Sequence, residues 1–238
     1  MNWFRRTEIL VGDKAMQDLR DAHVIVIGLG GVGAYAAESI CRAGVGRMTL
    51  VDGDTVDESN RNRQLPALLS TNGKPKAEVL RDRFIDINPE IVITVVNRFI
   101  RDDQTVELLE SGNYDCVVDC IDTLSPKVNL LRHCVERGIP IVSSMGAGGK
   151  FDPTQIEIVD ISESYNCKLA RQVRKRLGKF NIRQGIPVVF SPEEVEISKV
   201  IEEKGQNKAS VVGTISYMPP AFGCAVASIV LRKLLNKV

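Results

Sequence analysis

The sequence predicts an α/β protein built on a Rossmann-like, mostly parallel sheet with helices on both faces, extended by a smaller C-terminal α+β part. Three observations predict it. Short β-branched runs alternate with amphipathic stretches from Val24 to Ser144, one such run ends in Gly28-Leu-Gly-Gly-Val-Gly33, and Asp52, Asp122 and Gly146 follow other runs. Repeated βα units imply right-handed crossovers that cover both faces of a parallel sheet. Ligands of such sheets sit beyond the carboxyl ends of the strands, so these residues are expected on one rim.

Taken in order, Val24 to Ile27 reads as a strand, Val32 to Ala43 as a helix and Met48 to Val51 as a strand. Lys76 to Ile87 is a helix, Ile91 to Val96 a strand and Asp102 to Glu110 a helix. Cys116 to Asp119 is a strand, Lys127 to Arg137 a helix and Ile141 to Ser144 a strand. Beyond Phe151 the pattern loosens: a short strand at Ile156 to Val159, a basic helix from Lys168 to Leu177, and a strand at Pro187 to Phe190. Pro192 to Ser210 is polar with no sustained apolar period and reads as a mobile loop or insertion. Val211 to Tyr217 is expected as a strand and Ala221 to Asn236 as a closing helix. Residues 1–160 thus form a nucleotide-binding core with an N-terminal arm, and 161–238 an extension packed into the same globule.

The 238 residues suffice for one substantial core, and the net charge of +1 gives no global electrostatic case for nucleic acid. Any such binding must rest on a local patch. The first residues lack the apolar core of a signal peptide, and the longest apolar tract, Ala221 to Leu231, is about half of what a bilayer span requires. A cytoplasmic protein is expected. Cys41, Cys116, Cys120, Cys134, Cys167 and Cys224 are scattered without a CxxC pair, and His23 and His133 are the only histidines. Zinc ribbons, thiol redox motifs and His-dependent triads are therefore disfavoured.

The candidate site follows from chemistry at each position. Gly28 allows a backbone conformation closed to other residues, Gly30 and Gly31 let phosphate approach the main chain, and Gly33 lets the helix pack closely on the sheet. Nicotinamide and flavin enzymes use nearly the same loop, so specificity must come from downstream. Asp52 is placed to accept from ribose hydroxyls. Arg63 and Lys76 supply cations suited to a triphosphate, Asn60 could orient the same phosphates, and Asp122 is a hard oxygen ligand suited to Mg2+. Singly, each has a plainer reading: a solvated Arg63, a surface Lys76, an Asp122 that caps a turn. Together they point to an ATP site built for adenylation.

Arg6-Thr-Glu-Ile-Leu-Val-Gly12, the GxGGxG turn, Asp52-x-Asp54, Asn60-x-x-Arg63-Gln64, Gly73-x-x-Lys76 and Asp119-x-x-Asp122 resemble, in order and spacing, the motifs of the ubiquitin-activating-enzyme-like superfamily, which includes activators of sulfur carriers. Ser144-Met-Gly-Ala-Gly-Gly149-x-x-Asp152-Pro-Thr-Gln-Ile156 is similar to the corresponding stretch of the tRNA threonylcarbamoyladenosine dehydratases. The resemblance implies that Asp52 holds the ribose, that Asn60, Arg63 and Lys76 hold the phosphates of ATP, that Asp54 and Gln64 also bind the nucleotide, and that Asp122 holds Mg2+. It further implies catalytic roles for Arg63, Lys76 and Asp122, and a homodimer in which Arg6 reaches the partner's site. From the residues alone, Arg6 is an exposed charge.

Lys168, Arg171, Lys175 and Lys179 fall along one helical face that could follow a tRNA backbone, although a charge run is usually a solvated face. Gly146 to Gly149 could donate backbone N–H groups to an acyl oxygen or simply form a tight turn. Cys167 opens the basic helix and has no base beside it in sequence. The expected activity is ATP-dependent cyclising dehydration of the modified tRNA nucleoside through an acyl-adenylate. The alternatives are an activator of a ubiquitin-like sulfur carrier and a non-catalytic scaffold in sulfur transfer, working with a cysteine desulfurase or a sulfur-acceptor protein.

Overall fold

The structure is a computed structural model and describes residues 3–196, 198, 200–201 and 211–236. Two short helices, α1 (Arg5–Val11) and α2 (Asp13–Asp21), precede β1 (His23–Ile27). The core continues as α3 (Gly33–Arg42), β2 (Arg47–Val51), α4 (Lys76–Ile87), β3 (Val92–Val96), α5 (Asp103–Glu110), β4 (Cys116–Asp119), α6 (Leu124–Glu136) and β5 (Ile141–Ser144). Beyond β5 come β6 (Glu157–Asp160), α7 (Lys168–Leu177), β7 (Pro187–Phe190), the two-residue strands β8 (Val200–Ile201) and β9 (Val211–Val212), and α8 (Met218–Leu234).

One seven-stranded sheet runs in the order β3-β2-β1-β4-β5-β7-β6, parallel except that β6 runs antiparallel to β7. In β1 the side chains alternate between two cores, as a strand covered on both faces requires. Val24 and Val26 join the core of α2, α3, α4 and α8, whereas Ile25 and Ile27 join that of α5, α6 and α7. Register levels the strand ends: Ile27 pairs with Val51 on one side and Asp119 on the other. Gly28, Asp52 and Cys120 therefore leave the sheet at one height. Because β7 lies between β5 and β6, the extension shares the sheet of the core.

Several elements differ from the sequence expectation. α1 was not expected as a helix because it buries no side chain, and α2 buries only Met16 and Leu19. α6 and α8 begin earlier than their apolar periods, with Pro126, Pro219 and Pro220 in the first turn, where a missing N–H leaves no intrahelical bond unmade. The strand expected over Val211 to Tyr217 is confined to Val211–Val212. Beyond it the backbone acceptors are taken elsewhere: Gly149 N–H donates to Gly213 O at 2.8 Å and Asn62 Nδ2 to Thr214 O at 3.0 Å. The loop expected over Pro192 to Ser210 contains β8, which pairs antiparallel with β9; residues 197, 199 and 202–210 lie outside the described residues.

α8 closes the sheet by packing on α3, with Met218, Phe222, Val226 and Val230 fully buried. The contact is close because Gly223 lacks a side chain: a Cβ there would stand 2.7 Å from Val32 O and 3.0 Å from Ala36 N. Backbone cannot yield as a side chain does. Gly223→Ala is expected to destabilise the fold by about 1–3 kcal/mol, lowering Tm by roughly 3–10 °C in thermal denaturation followed by circular dichroism.

Candidate functional site

The glycine turn after β1 is dictated by contact distances. Gly28 has φ +90°, and a Cβ on it would lie 2.7 Å from Cys120 O. A Cβ on Gly33 would lie 1.8 Å from Gly28 O, so α3 starts only where residue 33 has no side chain. Gly30 is open, with Gln64 Nε2 at 3.9 Å as the nearest group to its missing Cβ. Gly31 differs from its neighbour: a Cβ there would meet Pro219 Cβ at 2.8 Å, so this glycine is required by the packing of α8 against the turn. The amino end of α3 opens beside the turn, where the helix dipole favours anions.

Beyond the strand ends lies a cavity of ≈ 990 Å³ lined by Gly28, Gly30, Asp52, Asp54, Gln64, Lys76 and Asp122, among others. Asp52 accepts from Leu29 N–H at 2.6 Å and from Asp54 N–H at 2.8 Å, which fixes its carboxylate at the mouth of the glycine turn. Burial raises its pKa above the ordinary carboxylate value, partly offset by the nearby Lys76 charge and by those two N–H donors. Lys76 is only 4% exposed and its Nζ donates to Asp54 Oδ2 at 3.0 Å. The lysine is thus held against the cavity wall by a partner of opposite charge. Gln64 Oε1 is buried with no hydrogen-bond partner, and its residue lines the cavity. A ligand hydroxyl or amine would satisfy it.

Asn60 and Arg63 are not among the residues that line the cavity. Asn60 Oδ1 accepts from Asp57 N–H at 3.3 Å while Asp57 Oδ1 accepts from Ser59 N–H at 2.8 Å, a reciprocal cap on the short turn over 58–60. Asn60 O in turn accepts from Arg63 N–H at 3.1 Å and Gln64 N–H at 2.9 Å, so Asn60 sets the position of both. Arg63 is partly buried; Nη1 donates to Ser59 O at 3.0 Å and Asn62 Oδ1 at 2.7 Å. Burial lowers its pKa and the Asp122 carboxylate raises it, which places the two in one electrostatic field. Among the described residues no group of three or more His, Cys, Asp or Glu is arranged to hold a metal ion. Asp122 is a single carboxylate on the rim, the kind of site Mg2+ shares with substrate phosphates. Arg6 is exposed on α1 and is not among the residues lining the cavity of its own chain.

Residues that the sequence did not single out complete the cavity. Arg98, Phe99 and Arg101 follow β3, and Thr123 to Pro126 open α6. The rule that ligands lie beyond strand ends could have found the first group; nothing in the residue types marks Phe99. In α7, Lys168, Arg171 and Lys175 are exposed together with Lys179 just beyond, while Ala170, Val173 and Leu177 are buried. Arg174, partly buried, donates to Ser164 Oγ, and the exposed Arg176 donates to Ser125 Oγ at 2.7 Å. Since Ser125 lines the cavity, the basic helix abuts its rim.

The glycine turn, the buried Asp52 carboxylate at its mouth and the cations beyond it define a Rossmann-like nucleotide-binding protein. The chain belongs to the ThiF family, whose sequence model matches residues 4–238. It is 39% identical over 231 residues to the tRNA threonylcarbamoyladenosine dehydratase of Bacillus subtilis, covering 96% of this chain and 90% of that protein. With the Escherichia coli protein of the same name it shares 38% identity, covering 98% of this chain and 94% of the relative. The crystal structure of the E. coli tRNA N6-threonylcarbamoyladenosine dehydratase TcdA in complex with ATP superposes with a TM-score of 0.90 at 37% identity, over 99% of this chain and 94% of that one.

The thiols argue against a covalent relay. Burial pushes Cys41, Cys116, Cys120 and Cys134 up to about 12, and Cys167 is buried at the start of α7; only Cys224 is exposed. Thiolate, not thiol, is the nucleophile. Native protein treated with iodoacetamide near neutral pH is expected to be alkylated first at Cys224, with the other positions protected until denaturant is added, as read by peptide mass spectrometry. Fast labelling of Cys167 would contradict this order.

Proposed function

We propose that this chain dehydrates threonylcarbamoyladenosine in tRNA with ATP, forming a cyclic nucleoside through an acyl-adenylate. The observation that carries the reading is the extent of the likeness: identity to the dehydratases runs through the core and the C-terminal extension alike, over nearly the full length of both chains. A carboxylate is a poor electrophile because its leaving group would be oxide. Attack of the threonyl carboxylate on the α-phosphate of ATP releases pyrophosphate and leaves AMP as the leaving group. A nucleophile of the same side chain then attacks the acyl carbon, the acyl–oxygen bond to AMP breaks, and a ring closes with net loss of water. Ring closure needs orientation rather than a protein nucleophile, which agrees with the protected thiols.

In this reading Asp52 takes the ribose hydroxyls, and Gly30 and the amino end of α3 receive phosphate oxygens. Lys76 and Arg63 balance the charge that develops on the α-phosphate and the departing pyrophosphate. Asp122 would hold Mg2+ together with phosphate oxygens, and the ion would supply further positive charge there. The exposed face of α7 carries the tRNA backbone to the rim that Arg176 and Ser125 join. The reading extends to a cytoplasmic homodimer in which Arg6 enters the partner's cavity, supported by the exposure of Ile9 and Leu10 beside it on α1, 69% and 81%.

The deciding assay incubates tRNA bearing threonylcarbamoyladenosine with the protein and Mg-ATP, then digests it under conditions that leave a ring intact. The expected result is a nucleoside lighter by one water, dependent on ATP and lost in Asp122→Ala. AMP formation stimulated by a small carrier protein, with no mass change in the tRNA, would move the activity to carrier activation. For α7, Arg171→Ala and Lys175→Ala are each expected to weaken tRNA binding and to reduce the slope of log Kd against log salt by roughly 0.7–0.9, as measured by filter binding. An unchanged slope would remove that face from the tRNA path.

A further inference from the structure

Beneath the cavity, Asp119 at the end of β4, Ser143 of β5 and Lys127 of α6 form a charged cluster with no exposure to solvent. Lys127 Nζ donates to Asp119 Oδ2 at 2.6 Å, to Ser143 Oγ at 3.1 Å and to Ser144 O at 2.9 Å. The three protons of the ammonium are thereby matched one to one. Ser143 Oγ donates to the same Asp119 oxygen at 2.6 Å, and Asp119 Oδ1 accepts from Ile121 N–H at 3.1 Å.

Two of these bonds reach past the cluster. Ile121 N–H begins the turn that carries Asp122, and Ser144 O begins the turn that leads through Gly146 to Gly149. Both turns leave the same rim of the sheet, from neighbouring strands. A buried ion pair is a weak source of stability, since desolvation offsets most of its attraction. What such a pair can supply is a fixed geometry, because short charge-assisted bonds in a dry site tolerate little displacement.

We propose that Lys127, Asp119 and Ser143 are positioning residues that lock the Asp122 turn to the Ser144–Gly149 turn, holding the nucleotide side of the reaction at a fixed spacing from the strand end beside it. The catalytic consequence rests on the dehydratase reading; the mechanical claim does not. The side-chain bonds of the cluster go to Ile121 and Ser144 and not to residues 28–33, although Gly28 rests on Cys120 O, so loosening it is expected to slow turnover more than it weakens ATP binding.

Two variants of the full chain test this. Ser143→Ala removes one hydroxyl and keeps the ion pair, and Asp119→Asn with Lys127→Met removes both charges together, leaving neither buried alone. Amide exchange resolved by peptide is expected to rise together over 120–126 and 144–149, by roughly threefold in Ser143→Ala and tenfold or more in the double variant, with β1 unchanged. In the nucleoside assay, kcat is expected to fall roughly tenfold in the double variant while KM for ATP stays within about threefold. Wild-type exchange in both turns of the folded Ser143→Ala protein would overturn the proposal, as would loosening of one turn without the other or a deficit found wholly in KM for ATP. Exchange needs no substrate, so a wild-type protein that dehydrated nothing would refute the functional reading and still leave this claim decided.

Discussion

A single close approach of backbone to backbone governs the arrangement of this protein. Gly28 O occupies the space that a side chain on residue 33 would need, and Gly28 itself rests on Cys120 O. These contacts join β1, α3 and the end of β4 at one point. Because parallel register brings Asp52 and Cys120 level with Gly28, fixing that point fixes the rim. The cavity is the space left when the strands end together and α3 turns away at once.

Charges on that rim are held before any ligand arrives. Asp52 is oriented by two backbone N–H groups, Lys76 by Asp54, and Arg63 by a carbonyl and an amide oxygen, with Asp122 in its field. A site whose dipoles and ions are already set avoids reorganisation when charge moves in the transition state. The raised pKa of Asp52 shows the cost of this arrangement: burial opposes its charge, and the lysine and N–H donors restore part of what burial removes.

Much of this was legible in the sequence because period and punctuation agree. The strands of the core, their helices and the residues at their carboxyl ends follow from β-branched runs broken by glycine and aspartate. What was not legible depends on tertiary context. α1 has no buried face to produce a pattern, and the first turns of α6 and α8 hide behind prolines that read as breaks. Residues 213–217 alternate polar and apolar side chains as a strand does, with Ile215 and Tyr217 two apart, but the acceptors of Gly213 and Thr214 serve the Gly149 turn and Asn62 instead. In the site, Asn60 was singled out by its type as a residue that could orient phosphates, and its bracing of the turn that bears Arg63 and Gln64 is a fact of the structure that residue type does not mark. Lys127, which opened a helix in the sequence reading, is fully buried in a cluster that no local pattern marks.

The contact between Gly31 and Pro219, and that between Gly223 and α3, bear on the order in which the protein comes into being. The phosphate turn is encoded near the start of the chain, yet it is braced by a helix that leaves the ribosome last among the described elements. Domains begin to fold from the amino end as they are made. Until α8 has been made, a nascent chain carries its first strand and glycine loop without the support that gives the loop its shape, so nucleotide capture waits on that helix.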